Sequence, residues 1–187
     1  MAKILSHIGN IDLLKRKKTA FLCSSKTTSR DILKSFDWAT NIPKDSCIIS
    51  GFQTKLEKDV LQLLLKRHIP VIIVLARKMY KELPTEIQAA IDLDEALVIS
   101  ISNQPRNSKE SAIRRNKYII EIAETVVIGA LDASSSLASM LRKDWKIALS
   151  IYLPIKSTLD SIHLLIQHRN FIVLQVLLQT FGDGPFI

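Results

Sequence analysis

The chain has 187 residues, of which 47% are hydrophobic and 24% charged, and its formal net charge is +8. This length and composition suit one well-cored globular domain covering residues 1–187, and they argue against intrinsic disorder. The excess of positive charge favours an anionic partner such as a nucleic acid or a nucleotide.

From residue 19 onward, apolar segments alternate with amphipathic segments of helical periodicity. The apolar segments predict strands, the amphipathic ones predict helices, and the last segment, FIVLQVLL (171–178), fits either. In chain order the predicted elements are strand 19–25, helix 29–42, strand 46–50, helix 55–68, strand 70–76, helix 84–94, strand 96–101, helix 109–124, strand 125–131, helix 135–144, strand 146–153 and helix 157–169.

Two of the predicted helices carry specific expectations. Ser29 is expected to cap the first helix, and Pro84 is expected in the first turn of the third. The expected apolar face of the first helix consists of Ile32, Leu33, Phe36 and Ala39.

Regular strand–helix alternation predicts an α/β fold, a Rossmann-like three-layer sandwich with a mainly parallel sheet covered by helices on both faces. The segments Val71–Leu75 and Val126–Ile128 are apolar at successive positions. We therefore expect both segments at the centre of the sheet.

The apolar runs are too short to cross a bilayer, which takes roughly 20 residues. The N-terminus does not resemble a secretory signal, because its basic cluster Lys15–Lys18 follows the apolar residues and no small-residue cleavage site is present. We therefore expect a cytoplasmic protein without a membrane partner.

Cysteine and histidine spacing gives no sign of a metal site. Cys23 and Cys47 lack C-x-x-C spacing and nearby histidines, and they fall in separate apolar segments. We expect two unpaired thiols in the core, and neither a metal nor a cofactor.

Polar residues follow four of the predicted strands. Because ligands of open parallel sheets bind beyond the carboxyl ends of the strands, these residues are candidates for contact with an anion. Each serine taken singly is more often a helix cap, so the prediction of a site depends on the group, which consists of Ser24-Ser25-Lys26, Ser50-Gly51, Ser100–Ser102 and Ser134-Ser135-Ser136.

Two segments are strongly basic, Lys15–Lys18 and residues 106–117, and the second has the context of a predicted binding site. It opens the predicted helix 109–124, and its bland interpretation is a solvated helix face. It carries five cations against the single carboxylate Glu110, and the cations are Arg106, Lys109, Arg114, Arg115 and Lys117.

Three of these stretches resemble the DNA processing protein A (DprA/Smf) family, whose element order the chain follows over roughly residues 19–175. Ser50-Gly51 matches the family's Ser-Gly turn, Arg115-Asn116-Lys117 matches an Arg-Asn-Arg segment, and Ser134–Leu137 matches a Ser-Gly-Ser-Leu turn. The chain departs from the family elsewhere. Cys23–Lys26 replaces Gly-Ser-Arg, Phe52–Glu57 replaces a Gly and Ile-Asp continuation, Gly129 replaces an acidic residue, and Ser135 replaces a glycine.

The resemblance implies a non-enzymatic protein that binds single-stranded DNA in a positive pocket. It also implies a homo-oligomer that delivers DNA to a recombinase in DNA processing, recombination or natural transformation. Phosphates would be neutralised by Arg114, Arg115 and Lys117, and hydrogen bonds would come from Asn116, Ser50 and Ser134, Ser135 and Ser136. Ser24, Ser25, Lys26 and Gly51 complete the predicted phosphate-binding set.

Two alternatives stay open. The lysine-decarboxylase-like group shares this architecture and binds nucleotide-derived ligands, but its Pro-Gly-Gly-x-Gly-Thr loop and following glutamate are missing at Asp132–Leu137. A scaffold that works through oligomerisation, with 171–178 as an interface segment, is the other alternative. P-loop, G-x-S-x-G and H-E-x-x-H motifs are all absent from the sequence.

Overall fold

A computed structural model describes residues 3–143 and 150–152. Its strands form one seven-stranded sheet in the order β1-β5-β4-β3-β2-β6-β7. Every neighbouring pair is parallel except β1 with β5, which is antiparallel. The strands are β1 (Ser6–Gly9), β2 (Thr19–Cys23), β3 (Ile48–Ser50), β4 (Val71–Leu75), β5 (Ala96–Ser100), β6 (Thr125–Ala130) and β7 (Ser150–Tyr152).

Five α-helices connect these strands within the described residues, and a short 3₁₀ helix, Ile11–Lys15, precedes β2. Each of the five α-helices coincides with a helix predicted from the sequence, to within two residues at either end, whereas the 3₁₀ helix was not predicted. The predicted elements 157–169 and 171–178 lie outside the described residues. The helices are α1 (Ser29–Asn41), α2 (Lys55–Lys66), α3 (Thr85–Asp92), α4 (Lys109–Ile122) and α5 (Ser136–Lys143).

The sheet is buried on both faces, which is why its strands are apolar at successive positions. One core cluster contains residues of α1, α2 and α3, and a second contains residues of α4, α5 and the 3₁₀ helix. The prediction of a Rossmann-like three-layer sandwich is confirmed. Val71–Leu75 and Val126–Ile128 both lie inside the sheet, although β3 is its middle strand and β6 is next to the outermost strand.

The predicted cap of α1 is wrong, and so is half of its predicted apolar face, since Phe36 and Ala39 pack in the core but Ile32 and Leu33 do not. Thr28, not Ser29, is the cap, because its hydroxyl accepts from the Asp31 N–H at 3.2 Å. Leu33 is 65% exposed, whereas Ser35 and Ala39 are fully buried. These small residues face the sheet, where the Ser35 hydroxyl donates to the Gly129 carbonyl of β6 at 3.5 Å. Ile32 and Leu33 are on the exposed side of the helix.

Two further features differ from the sequence prediction. Pro84 precedes α3 as its cap residue rather than lying in the first turn. The strand β1 has no predicted counterpart, because it is four residues long and its side chains are half-buried or exposed. No helix in the described part of the chain is long and apolar enough to span a membrane.

Candidate nucleic-acid interface

The carboxyl ends of the parallel strands β2 to β6 meet at one edge of the sheet. The chain order reverses between β2 and β6, since β3 to β5 lie on one side of β2 and β6 lies on the other. Such a reversal is where open α/β sheets usually bind ligands. The predicted residues at the ends of β2, β3, β5 and β6 are therefore brought to the same edge.

At the reversal, four residues form what we call the switch-point cluster: Ser24, Lys26, Asp132 and Ser134. The buried Ser24 hydroxyl accepts from the Asp132 N–H at 2.7 Å and donates to the Ala130 carbonyl at 3.1 Å. Lys26 Nζ lies 3.4 Å from Asp132 Oδ2. Ser134 donates to Asp132 Oδ1 from its N–H at 3.0 Å and from its hydroxyl at 2.9 Å.

These bonds have an electrostatic signature. The two donors of Ser134 are the largest causes that hold the pKa of Asp132 below its ordinary value, and Lys26 adds to them. The polar groups of the switch-point cluster therefore bind one another, and they fix the loops that follow β2 and β6.

The remaining predicted serines of this region have separate positions. Ser135 accepts from the Ala138 N–H at 3.1 Å, which is the hydrogen bond of a cap on α5. Ser25 and Ser136 are exposed. The capping interpretation therefore holds for Ser135, and the hydroxyls of Ser25 and Ser136 face solvent.

The buried carboxylate of Glu57, 2% exposed, joins the end of β2 to the turn after β3. Its Oε1 accepts from the Cys23 N–H at 2.9 Å, and its Oε2 accepts from the N–H groups of Gln53 at 2.8 Å and Thr54 at 3.1 Å. The sequence prediction gave Glu57 no role. The sequence feature that could have identified this role is the spacing Thr54-x-x-Glu57, which is that of a capping box.

The Ser-Gly turn after β3 is shaped by its own side chains. Ser50 is fully buried, and its hydroxyl accepts from the Phe52 N–H at 3.2 Å. A Cβ added to Gly51 would overlap the guanidinium of Arg115. Glycine here leaves room for the guanidinium of Arg115. The backbone conformation does not require glycine, since the φ of Gly51 lies outside the left-handed range.

Arg115 lies on the buried face of α4 and is 5% exposed. Its Nε and Nη2 donate to Asn116 Oδ1 at 3.1 and 2.9 Å. Burial lowers the pKa of Arg115, and the nearby Glu57 and Tyr80 act in the opposite direction. The structure thus places a desolvated cation at the carboxyl end of β3.

The three cations predicted to act together are separated by the helix. Arg114 and Lys117 are exposed, whereas Arg115 shares its face with the buried Ser111, Tyr118 and Ile119. Arg115 is therefore not on the solvent-exposed face that carries Arg114 and Lys117. A residue every three or four positions faces the core, and position 115 falls in that series.

Sequence reasoning missed Arg77, which lies two residues beyond β4. Its Cζ lies 5.1 Å from the centroid of the Tyr80 ring. Its Nε is buried and has no hydrogen-bond partner among the described residues. With the residues around Arg115, it forms what we call the arginine cluster: Gly51, Arg77, Tyr80, Arg115 and Asn116. Arg77 could have been found from the sequence by its position directly after the predicted strand 70–76, at the edge where ligands bind.

The cysteines lie in the core. Cys23 and Cys47 are free and buried. Burial raises the pKa of Cys47 to about 11 and raises that of Cys23 well above its ordinary value. Within the described residues, no group of three or more His, Cys, Asp or Glu side chains is arranged to hold a metal ion.

Comparison with known proteins relates this fold to solved structures. The chain matches no protein-family model and no curated protein sequence. It superposes on DNA processing protein A from Streptococcus pneumoniae with a TM-score of 0.68 and 18% identity, over 86% of this chain and 59% of that one. The chain has a DprA-like fold.

A second structure agrees. The DprA of Helicobacter pylori, whose single-stranded DNA binding mode has been described, gives a TM-score of 0.59 and 19% identity, over 79% of this chain and 69% of that one. With 59% of the S. pneumoniae chain covered, this chain spans less than two thirds of that protein's length. The fold predicted from the family resemblance is confirmed.

Proposed function

We propose that this chain is a DprA-like, non-catalytic protein that binds single-stranded DNA at the carboxyl edge of its sheet. The observation that carries the proposal is the buried guanidinium of Arg115, seated on Gly51 at this edge. Burying a cation is unfavourable unless an anion or several acceptors compensate it. Asn116 supplies one acceptor oxygen, and the charge of the nearby Glu57 carboxylate favours the cation, although this carboxylate already accepts three backbone N–H groups. A backbone phosphate would supply an anion in direct contact.

The remaining predicted residues divide into two roles. The exposed cations Arg114 and Lys117, with Lys109 at the start of α4 and Arg106 in the preceding loop, would neutralise phosphates along the DNA strand. The exposed Ser25 and Ser136 would donate hydrogen bonds to phosphate oxygens. Ser24, Ser50, Ser134 and Ser135 would shape the loops. Because phosphate contacts carry no base information, we expect weak sequence preference.

The cellular setting follows from the DprA-like fold together with the family resemblance. The fold and the resemblance together support a role in DNA processing or recombination in the cytoplasm. They also support self-association of the protein and transfer of DNA to a recombinase. The high positive charge supports an anionic partner independently of the fold.

The test is fluorescence anisotropy of labelled single-stranded oligonucleotides at moderate salt. We expect similar affinity for oligo(dT) and for a mixed sequence, and weaker binding at higher salt. A protein that leaves both oligonucleotides free, while a mononucleotide raises its melting temperature, would contradict the DNA-binding function and favour a nucleotide sensor.

A further inference from the structure

The arginine cluster contains a donor that the described residues leave unsatisfied. Buried N–H groups are nearly always paired, because an unpaired one loses its hydrogen bonds to water without replacement. Arg77 Nε is buried and lacks a partner within the described part of the chain. Such a donor indicates that the site is completed by a group from outside the protein.

A second cation lies close by. Tyr80 contacts the guanidinium of Arg77 through its ring. Arg77 follows β4, and Arg115 packs on Gly51 directly after β3. Because β3 and β4 are paired in parallel, the two arginines lie beyond the ends of neighbouring strands. The neighbouring carboxylate of Glu57 already accepts three backbone N–H groups, which limits what it offers to either cation.

The loop that carries Arg77 is held in place from two sides. The Ser100 hydroxyl donates to the Arg77 carbonyl at 2.7 Å, and the Lys78 N–H donates to the Gln104 carbonyl at 2.8 Å. On the other side of the site, Asn107 donates to Gln53, whose amide donates to the Gly51 carbonyl. The loops after β3, β4 and β5 are thus joined, so that the guanidinium groups are preorganised for binding.

We propose that the arginine cluster binds one phosphate group between Arg77 and Arg115, beside Tyr80. This inference deepens the proposed function, on which it rests, by adding Arg77 and Tyr80 to the site. Planar guanidinium groups match the oxygens of phosphate better than ammonium groups do. The phosphate comes either from the backbone of single-stranded DNA or from a free mononucleotide.

The experiment compares wild type with Arg77→Gln, using inorganic phosphate, a nucleoside monophosphate and oligo(dT) as three separate probes. Lys78→Gln is the matched control, because it removes the same charge from the next residue, which is exposed. Arg77→Gln should weaken phosphate binding about tenfold or more, since a charge-assisted contact is lost. The Arg77 Nε–H resonance of the wild type, assigned by its absence in the variant, should shift on phosphate addition.

The probes identify the source of the phosphate. Loss of oligo(dT) affinity in Arg77→Gln assigns the site to the DNA backbone, and loss of monophosphate affinity alone assigns it to a free nucleotide. Arg77-dependent phosphate binding without oligonucleotide binding would support the site while contradicting the DNA-binding function.

Two results would overturn the inference without touching that function. The first is a folded Arg77→Gln protein that binds all three probes as wild type does. The second is an equal loss in Lys78→Gln, which would indicate a general charge effect.

Discussion

The switch-point cluster and the arginine cluster lie at the same edge of one sheet but differ in how their polar groups are satisfied. In the first, Ser24, Lys26 and Ser134 are bonded to or paired with Asp132. In the second, Arg115 is buried against Gly51, and Arg77 Nε has no partner among the described residues. A cluster that satisfies itself holds loops together, and one that does not has capacity for a ligand.

The difference has an energetic side. Closed hydrogen-bond networks stabilise the loops that they join, whereas desolvated cations cost stability until an anion arrives. Sites that bind ligands are often held at the expense of stability in the free protein. We therefore expect substitutions in the two clusters to separate stability from binding.

The largest effect is expected at Glu57, which joins the end of β2, next to the switch-point cluster, to the turn after β3, next to the arginine cluster. Glu57→Gln removes the charge and replaces one carboxylate oxygen with an amide NH₂ group. The backbone N–H that bonded to that oxygen then faces a donor, so the free energy of unfolding should fall by about 2–4 kcal/mol. Urea denaturation measures this change. Glu86→Gln, an exposed carboxylate in the first turn of α3, is the control. Equal losses in both variants would contradict the bridging role.

Gly51→Ala tests whether space is reserved for the guanidinium. In wild type the new methyl group should displace Arg115 and cost about 1 kcal/mol. In an Arg115→Ala background the sign should reverse, to a gain of about 0.5 kcal/mol, because alanine restricts the unfolded chain. A double-mutant cycle by urea denaturation measures the coupling, and additive effects would show that the two residues do not compete for the same space.

Arg115→Met distinguishes a binding cation from a structural one. Methionine fills similar volume without a buried charge, so stability should stay within about 1 kcal/mol of wild type or rise. Oligonucleotide affinity should fall in the same variant. Arg114→Met, at an exposed position, should leave stability unchanged. A large loss of stability in Arg115→Met would instead make Arg115 a structural residue.

Asp132→Asn is expected to change the free energy of unfolding least. The change is recognised by its dependence on pH. The pKa of Asp132 is lowered in the folded protein from a value near 3.8, so its stabilisation is present above that pH and is lost as pH falls through the folded pKa. The stability difference between wild type and variant should be the same at neutral pH and near pH 5, and should close below about pH 4. A difference that persists in acid would contradict the contribution of the ionised carboxylate.

Much of the fold could be predicted from the sequence, because β-branched runs and helical periodicity record burial directly. The site was harder to predict. Arg115 occupies a core-facing position of α4, but a charged side chain next to Arg114 is naturally assigned to solvent. Arg77 belongs to no motif, and its importance rests on a buried Nε that has no hydrogen-bond partner among the described residues, which only the folded structure reveals. The serines at the strand ends were found, but their partners across the sheet edge, such as Asp132, come from other parts of the chain.

The central claim is that this chain binds single-stranded DNA through phosphate contacts, and that these contacts include the exposed cations of α4, the helix that carries Arg115. The most direct measurement is the log–log dependence of oligo(dT) affinity on salt for wild type, Arg114→Ala/Lys117→Ala and the control Lys44→Ala/Lys66→Ala, whose lysines are exposed at the opposite edge of the sheet. Each lost contact lowers the slope by about 0.7, so the first variant should lose about 1.4 and the control should keep the wild-type slope. A folded Arg114→Ala/Lys117→Ala protein with unchanged affinity and slope would contradict the claim.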